Sequence, residues 1–264
     1  MPSSASSAVK MAMQRSERLW QKTVMQRHEY MNKFGDVGFF PAVTGQTYFA
    51  YPYSIWDLIP ASFNCPVEIE RIGRMGDGGK WVCGVQNESS FEQELLTRTN
   101  CRVWGYDYSV NDFGPVLDES NRQRTSFMQA GIAGQSSPNS VPPFFSIMDI
   151  MAMNGHDYID LLKIDIEFAE FEALAAMDDA LPSNHEFPIG QILIELHLSQ
   201  PSDITLTRFL SWWEALENRG FRPAWTEPNL MVVTLRAEDL MPRCAEYTLL
   251  NARDHRNKIY NEGR

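Results

Sequence analysis

From residue 78 onward, short apolar segments alternate with segments long enough to form a helix, and this alternation limits the possible folds most. The change of pattern follows Asp77-Gly78-Gly79, a strong turn signal. Repeated strand–helix units are typical of a parallel sheet covered by helices. The sequence therefore predicts an α/β fold with strands at residues 80–85, 102–106, 127–132, 159–165, 191–197, 222–226 and 230–235.

Helix signals fill the gaps between these strands. Ser90-Phe91-Glu92-Gln93 is a capping-box start, and Gly220 is a favourable residue just past a helix C-terminus. The pattern predicts helices at residues 146–153, 170–177 and 205–219, the first of them after a Pro- and Ser-rich surface loop at 134–143. Because no linker interrupts this stretch, we expect residues 63–264 to form one domain.

The first 62 residues are predicted to be a helix followed by an aromatic cap. Met13, Trp20, Val24 and Met31 lie on one stripe of an amphipathic helix at about residues 11–31. Residues 39–60 are crowded with aromatic side chains, which cover one end of the sheet, close over an apolar substrate, or do both. The second possibility places some of Tyr48, Tyr51, Tyr53 and Trp56 at an acceptor pocket.

Charge and cysteine content exclude several functional classes. The net charge of −11 argues against nucleic-acid binding, because contacts to phosphates need an excess of Lys and Arg. The sequence contains neither a membrane span nor a secretory signal, so we expect a cytoplasmic protein, with a mitochondrial presequence as the alternative. The spacing of the four cysteines fits no structural zinc site, and we expect reduced thiols without disulfides.

Polar side chains end the fourth and fifth predicted strands. Asp165 and Glu167 follow the fourth strand, and Glu195 and His197 close the fifth. Since side chains alternate along a strand, Glu195 and His197 project from the same face. If the two strands are neighbours, Asp165 lies beside them, and such a group of titratable residues predicts a functional site.

The first three predicted strands end in residues suited to an adenosyl cofactor. The first strand continues through Gly84, Val85, Gln86 and Asn87 into a helix, whose N-terminus suits a carboxylate, and its single glycine disfavours a pyrophosphate. Asp107, followed by Tyr108, has the spacing of an acid that binds ribose hydroxyls, although it could also cap a turn. Gly131-Ile132 either lets the backbone approach adenine or forms a simple turn.

Three segments carry a family resemblance: RIGRMGDGGKWVCGV, CRVWGYDYS, and DLLKIDIEFAE followed by QILIELH. Two further segments, GFRPAWTEPN and CAEYTLLN, extend the resemblance over roughly residues 67–250. Together these segments resemble the class I S-adenosylmethionine-dependent methyltransferases, specifically the FkbM-related and methyltransferase-like groups. The resemblance implies a Rossmann-like, mostly parallel sheet of seven strands with the last one antiparallel.

The resemblance also implies a role for each strand end. The loop at Gly84 to Asn87 would hold the methionine part of S-adenosylmethionine, Asp107 the ribose, and Gly131-Ile132 the adenine side. Asp165, Glu195 and His197 would form the reacting end. Where members of the family usually read IEGAE, this chain has Phe168 in place of the glycine, which implies a reshaped acceptor pocket.

Three functional hypotheses follow. In the first, the chain methylates a small, partly apolar acceptor and His197 is the general base, because the unperturbed pKa of histidine lies nearest neutrality. In the second, Asp165, Glu195 and His197 bind a divalent ion that assists O-methylation. In the third, Phe168 and the single-glycine loop belong to a binding protein without turnover. The oligomeric state and the identity of the acceptor do not follow from the sequence.

Overall fold

The computed structural model describes residues 4–34, 55–74, 78–84, 91–115, 117–198, 205–230 and 244–258. Its α-helices are α1 (Ser4–Phe34), α2 (Phe91–Arg98), α3 (Glu119–Arg122), α4 (Ile147–Asn154), α5 (Glu170–Ala180) and α6 (Leu206–Asn218). Its strands are β1 (Ile69–Ile72), β2 (Lys80–Cys83), β3 (Val103–Tyr106), β4 (Thr125–Met128), β5 (Gly131–Ile132), β6 (Phe144–Phe145), β7 (Ile159–Ile164), β8 (Ile189–His197), β9 (Phe221–Pro228) and β10 (Cys244–Asn251). Within these ranges, no helix has both the length and the apolar character needed to cross a bilayer.

The largest described sheet has four strands in the order β7-β8-β10-β9. β7 and β8 are parallel, whereas β10 is antiparallel to both of its neighbours, as the resemblance implies for the last strand. β1 and β2 form an antiparallel pair, and β3-β4 and β5-β6 form two parallel pairs. The α/β class is therefore confirmed, while the hydrogen bonds of the described strands do not join them into one sheet of seven.

Five predicted strands correspond to β2, β3, β7, β8 and β9, with bounds that agree within two residues. The strand predicted at 127–132 is divided into β4, which pairs with β3, and β5, which pairs with β6. The strand predicted at 230–235 lies outside the described residues except for Leu230. β10 escaped prediction because Glu246 and Thr248 interrupt its apolar pattern, although both are buried.

The helices predicted at 146–153 and 205–219 agree with α4 and α6 within one residue, the helix predicted at 170–177 continues to residue 180, and the capping-box residue Ser90 lies outside the described residues. The Ser146 side chain accepts a hydrogen bond from the Asp149 backbone at the start of α4, and Gly155 ends that helix in the left-handed conformation. The Thr205 hydroxyl accepts from the Arg208 backbone at the start of α6. These caps determine where α4 and α6 begin beside the sheet.

The main core lies between the four-stranded sheet and α5 and α6. Every residue of β8 is buried, and Leu174, Phe209 and Trp213 from the two helices pack into the same cluster. Full burial of such a side chain contributes about 1.5–3 kcal/mol. β8 is therefore held rigidly on both faces, which positions the residues at its carboxyl end.

One ring of the predicted aromatic cap belongs to this core. Trp56 lies in a short 3-10 helix (Ile55–Leu58), and its ring centroid is 6.1 Å from that of Tyr247, in the middle of β10. For Trp56 this supports packing on the sheet. Tyr48, Tyr51 and Tyr53 lie outside the described residues, so their position at an acceptor pocket stays a prediction.

Helix α1 is longer than predicted and packs on the same domain. Met13 is buried, and Trp20, Val24 and Met31 are half-buried, as their common stripe predicts. Arg27 is also buried and pairs with Glu217 of α6. The first segment is thus attached by both apolar and ionic contacts.

β2 lies across one face of the four-stranded sheet. At its start, the Lys80 ammonium is 3.7 Å from a Glu195 carboxylate oxygen, and at its end the Cys83 backbone donates to the Gln191 side chain at 3.0 Å. Cys83 is also joined to Cys65 by a disulfide with a Cα separation of 6.0 Å. The expectation of four reduced thiols is therefore wrong, because the pairing of β1 with β2 brings distant cysteines together.

Candidate active site

The carboxyl ends of β7 and β8 bring the predicted reacting residues together. The His197 Nε2 atom lies 3.8 Å from Asp165 Oδ1 and 4.0 Å from Glu195 Oε1. β7 and β8 are paired neighbours, and Glu195 and His197 project from one face, as the sequence predicts. Glu167 joins this group, because one of its carboxylate oxygens is 3.6 Å from the same ring nitrogen.

Glu170, the first residue of α5, binds the backbone of His197 and its second ring nitrogen, Nδ1. Its Oε1 accepts a hydrogen bond from the His197 backbone at 2.9 Å and lies 3.0 Å from His197 Nδ1. Since an ionised carboxylate can only accept, we assign the ring hydrogen to Nδ1. In a neutral ring, Nε2 then carries the free lone pair and faces Asp165, Glu167 and Glu195.

The loop between β7 and α5 has an unusual backbone. Glu167 and Phe168 have φ angles of 50° and 78°, in the left-handed region that favours glycine. Phe168 occupies the position where the family usually has glycine, and its ring centroid is 5.5 Å from that of His197. The benzyl group therefore covers one side of the imidazole at a cost in backbone strain of about 1–3 kcal/mol.

This strain gives a stability prediction for position 168. Phe168→Gly and Phe168→Ala both remove the ring, but only glycine adopts the positive φ freely. We expect Phe168→Gly to be about 1–2 kcal/mol more stable than Phe168→Ala in urea unfolding. A Phe168→Ala protein as stable as Phe168→Gly would show that this turn is not strained.

The carboxylates change the protonation of His197. Burial by itself would lower the pKa of His197, but the hydrogen bond and charge of Glu170, with the charges of Glu195 and Glu167, raise the pKa to about 9. Burial and the charge of Glu195 raise the pKa of Asp165. In this arrangement the imidazole holds its proton at neutral pH.

Behind the site lies a buried polar group that the sequence analysis missed. The Lys80 ammonium binds Glu246, and the Asn229 amide donates to Glu195 Oε1 at 2.8 Å. Burial would raise the pKa of Glu195, but Asn229 and Lys80 outweigh it and lower the pKa, while burial raises the pKa of Glu246 to about 8. Lys80 and Glu246 are far apart in the sequence, so only β2 packing against β10 reveals their contact.

Cys244, the first residue of β10, is a third neighbour missed by the sequence analysis. A ligand atom of Cys244 can lie within 4.8 Å of those of Glu195 and His197. Burial and the surrounding carboxylates raise the pKa of the thiol to about 12. Cys244 is therefore a thiol at neutral pH and not an activated nucleophile.

The predicted methionine-binding loop is only partly described. Gly84 has a φ of 87°, and its backbone donates to the Glu68 carbonyl at 2.9 Å. Val85, Gln86 and Asn87 lie outside the described residues. Because Cys83 contacts Gln191, Gly84 follows β2 near the start of β8, about 20 Å along that strand from His197.

Asp107 lies at the carboxyl end of β3, as predicted. Its Oδ1 accepts hydrogen bonds from the Ser109 backbone at 2.6 Å and from the Ser109 hydroxyl at 2.7 Å. Asp107 therefore caps a turn through Ser109. The side chain is exposed, and a ribose would have to share its carboxylate with this turn.

Gly131 and Ile132 form β5 beside β6. A Cβ atom at position 131 would lie 2.2 Å from the Phe144 ring, so the close approach that requires glycine is made by Phe144. Tyr108 packs on the same ring at a centroid distance of 5.7 Å, and Ile132 packs against the main core. Phe144 thus links two of the predicted cofactor segments.

The predicted residues consequently form two groups. Among the described residues, no hydrogen bond, ion pair or ring contact joins Asp107, Tyr108 or Gly131 to the cluster around His197. In the part of the chain that the structure describes, two sets at this edge could hold a metal, each with ligand atoms within 4.8 Å of one another: Asp165, Glu167 and His197, or Glu195, His197 and Cys244. A further set, Glu186, Asp254 and His255, lies at the opposite edge of the sheet.

Comparison with known proteins identifies the family. Residues 72–223 match the family model described as the methyltransferase FkbM domain, which is more than half of the chain. Searches of curated proteins and of solved structures gave no match. The match includes Asp165, Glu167, Glu170, Glu195 and His197. The chain therefore belongs to the FkbM methyltransferase family.

Proposed function

We propose that this methyltransferase uses S-adenosylmethionine as donor and methylates a small, partly apolar acceptor. Membership of the FkbM family supports the reaction class. The polar cluster at the joint carboxyl end of β7 and β8 supports the position of the reacting end, because ligands of open α/β sheets bind at this edge. The Phe168 ring beside His197 supports an acceptor with an apolar part.

The observation that carries this proposal is the orientation of His197 by Glu170. Nδ1 and the backbone of His197 are both held by one carboxylate oxygen, while Nε2 faces an edge where Glu167 is largely exposed. A fixed imidazole directed at an accessible edge is suited to act on an acceptor hydroxyl. In-line transfer needs this alignment of nucleophile, methyl group and sulfur.

We propose that the donor lies along the strand ends, as the resemblance implies. Asp107 and Tyr108 then hold the ribose, Gly131 and Ile132 the adenine side, and Asp165 lies near the methyl group. Because Gly84 lies near the start of β8, this proposal requires the loop of Gly84, Val85, Gln86 and Asn87 to run toward the end of that strand in order to hold the methionine part. A Rossmann-like arrangement of seven strands belongs to the same proposal. The exposed carboxylate of Asp107 at the end of β3 supports the ribose site.

Asp107 provides the test of donor binding. We expect Asp107→Ala to weaken binding of S-adenosylmethionine or its demethylated product by about 1–3 kcal/mol, the range of hydrogen bonds to a charged group. Isothermal titration calorimetry measures this. Asp107→Asn separates the turn from the ribose contact, since its amide oxygen still accepts from Ser109, and Asp112→Ala is the control for a nearby exposed acid.

Binding of the two ligands by the native protein is measured before the variants are compared. If it binds neither ligand, the S-adenosylmethionine proposal fails. Donor binding without transfer to any acceptor would instead favour a binding protein that has lost turnover.

Two routes for His197 follow from its surroundings. As a general base it must be neutral, and a pKa of about 9 leaves only about one ring in a hundred neutral at pH 7. The base role therefore stays a prediction that requires the donor or the acceptor to lower this pKa. In the metal-assisted route, the space in front of Nε2 holds an ion and His197 acts as a ligand.

A further inference from the structure

The space in front of His197 Nε2 is surrounded by oxygen atoms from two strand ends. Asp165 Oδ1, Glu167 Oε2 and Glu195 Oε1 lie 3.8, 3.6 and 4.0 Å from this nitrogen. For bonds of 2.0–2.1 Å, adjacent octahedral ligands are about 3.0 Å apart and opposite ones about 4.2 Å. The observed separations lie between these two values, so one ion can reach the group with small side-chain movements.

His197 presents a buried ring nitrogen, Nε2, to these oxygen atoms, and a metal ion would take the place of the proton on that nitrogen. Its side chain is 7% exposed, and Nδ1 is already taken by Glu170. Among the described residues, Nε2 makes no hydrogen bond. A histidine whose far nitrogen is held by a carboxylate while the near one faces oxygen ligands is the usual arrangement at metal centres.

The charges around this space favour a cation. Asp165, Glu167, Glu170 and Glu195 place four carboxylates within 4.0 Å of one imidazole. The nearby ammonium of Lys80 is bound to Glu246 and Glu195 instead. Lys80 therefore does not neutralise Asp165 and Glu167, and a divalent ion that replaces the Nε2 proton of His197 would bring more positive charge to them.

The three residues that can reach one ion differ in part from the set that the sequence suggests. Glu195 Oε1 already accepts from Asn229, and Lys80 lies against its other oxygen. Both carboxylate oxygens of Glu195 therefore have partners other than an ion. The Glu167 side chain is 75% exposed, and that of Asp165 is 31% exposed. The ligand set then has two carboxylates and one imidazole, with open positions for solvent or acceptor.

We propose that Asp165, Glu167 and His197 bind one divalent first-row metal ion, with Glu170 orienting the imidazole. Mixed oxygen and imidazole ligands suit Mn²⁺, Fe²⁺ or Zn²⁺ better than Mg²⁺. The role of the ion rests on the proposed function, because it would hold and acidify an acceptor hydroxyl beside the methyl group. Binding of the ion does not depend on that function.

The test measures Mn²⁺ binding without donor or acceptor. Protein freed of metal by chelator and dialysis is titrated with Mn²⁺, and free Mn²⁺ is followed by electron paramagnetic resonance. We expect one saturable ion per chain that excess Mg²⁺ does not displace. His197→Ala and Asp165→Asn should each lower the affinity at least tenfold, and Glu170→Gln by about 10–100-fold, the usual effect of losing a group that orients a metal ligand.

Glu186→Gln is the matched control, since it alters the acidic and histidine group at the opposite edge of the sheet. It should leave the bound Mn²⁺ unchanged, and circular dichroism should show that every variant is folded. If His197→Ala does not fold, Glu167→Gln takes its place. No binding by the native protein, or equal binding by the site variants, would overturn the proposal.

Calorimetry with S-adenosylmethionine on the same metal-free protein keeps the two proposals separate. Donor binding without Mn²⁺ binding removes only the metal site. Mn²⁺ binding without donor binding removes only the proposed methyl donor.

Discussion

Replacing His197 by alanine should lower methyl transfer to a true acceptor by about 10²–10⁴-fold. In the proposed function the lost imidazole would act on the acceptor in the transition state, either as a base or as a ligand of an ion that acidifies it. Donor affinity should remain nearly unchanged, because the cluster around His197 contacts none of Asp107, Tyr108 or Gly131. Turnover at saturating donor, with calorimetry of donor binding, measures both effects.

His185→Ala is the control for this prediction. His185 is exposed in the turn before β8, at the opposite end of that strand from His197, so the variant should turn over like the native protein. Metal dependence then distinguishes the general-base route from the metal-ligand route. If His197 is a ligand, a chelator should inactivate the native enzyme and Mn²⁺ should restore it, whereas a base needs no ion. Native turnover by His197→Ala would contradict both routes.

The grouping of Asp165, Glu195 and His197 was predictable from the sequence because its geometry is local to two strands. A period of two places Glu195 and His197 on one face, and short apolar segments identify β7 and β8. Their pairing then brings Asp165 beside them. These steps use only strand periodicity and the shared edge of parallel strands.

The contacts of Glu170 and Lys80 around this cluster depend on tertiary packing instead. Glu170 reaches His197 because α5 packs over the end of β8, and Lys80 reaches Glu246 because β2 lies across β10. No periodicity in the sequence indicates either contact. The requirement for glycine at position 131 likewise comes from Phe144, which lies on another strand.

Arg27 is one of the buried cations that attach α1 to the rest of the described chain. Arg27 donates to Glu217 Oε2 at 2.5 Å and to Glu214 Oε1 at 3.1 Å, and its side chain is 1% exposed. The Glu217 side chain is 6% exposed and also accepts from the Trp20 indole at 2.9 Å. Without Arg27, a buried carboxylate would keep only this neutral donor. Removing one partner of such a pair costs more than the pair contributes, because the remaining charge stays buried.

Arg27→Met should therefore lower the free energy of unfolding by about 3–5 kcal/mol, although methionine keeps most of the packing. Urea unfolding followed by tryptophan fluorescence measures the change. His28→Ala is the control, because the exposed His28–Glu214 contact should be worth at most about 1 kcal/mol. Adding Glu217→Gln to Arg27→Met should restore at least half of the loss, since glutamine removes the buried charge and still accepts from Trp20. If Arg27→Met is as stable as His28→Ala, or if the double variant recovers none of the lost stability, then the unpaired charge of Glu217 does not cause the loss.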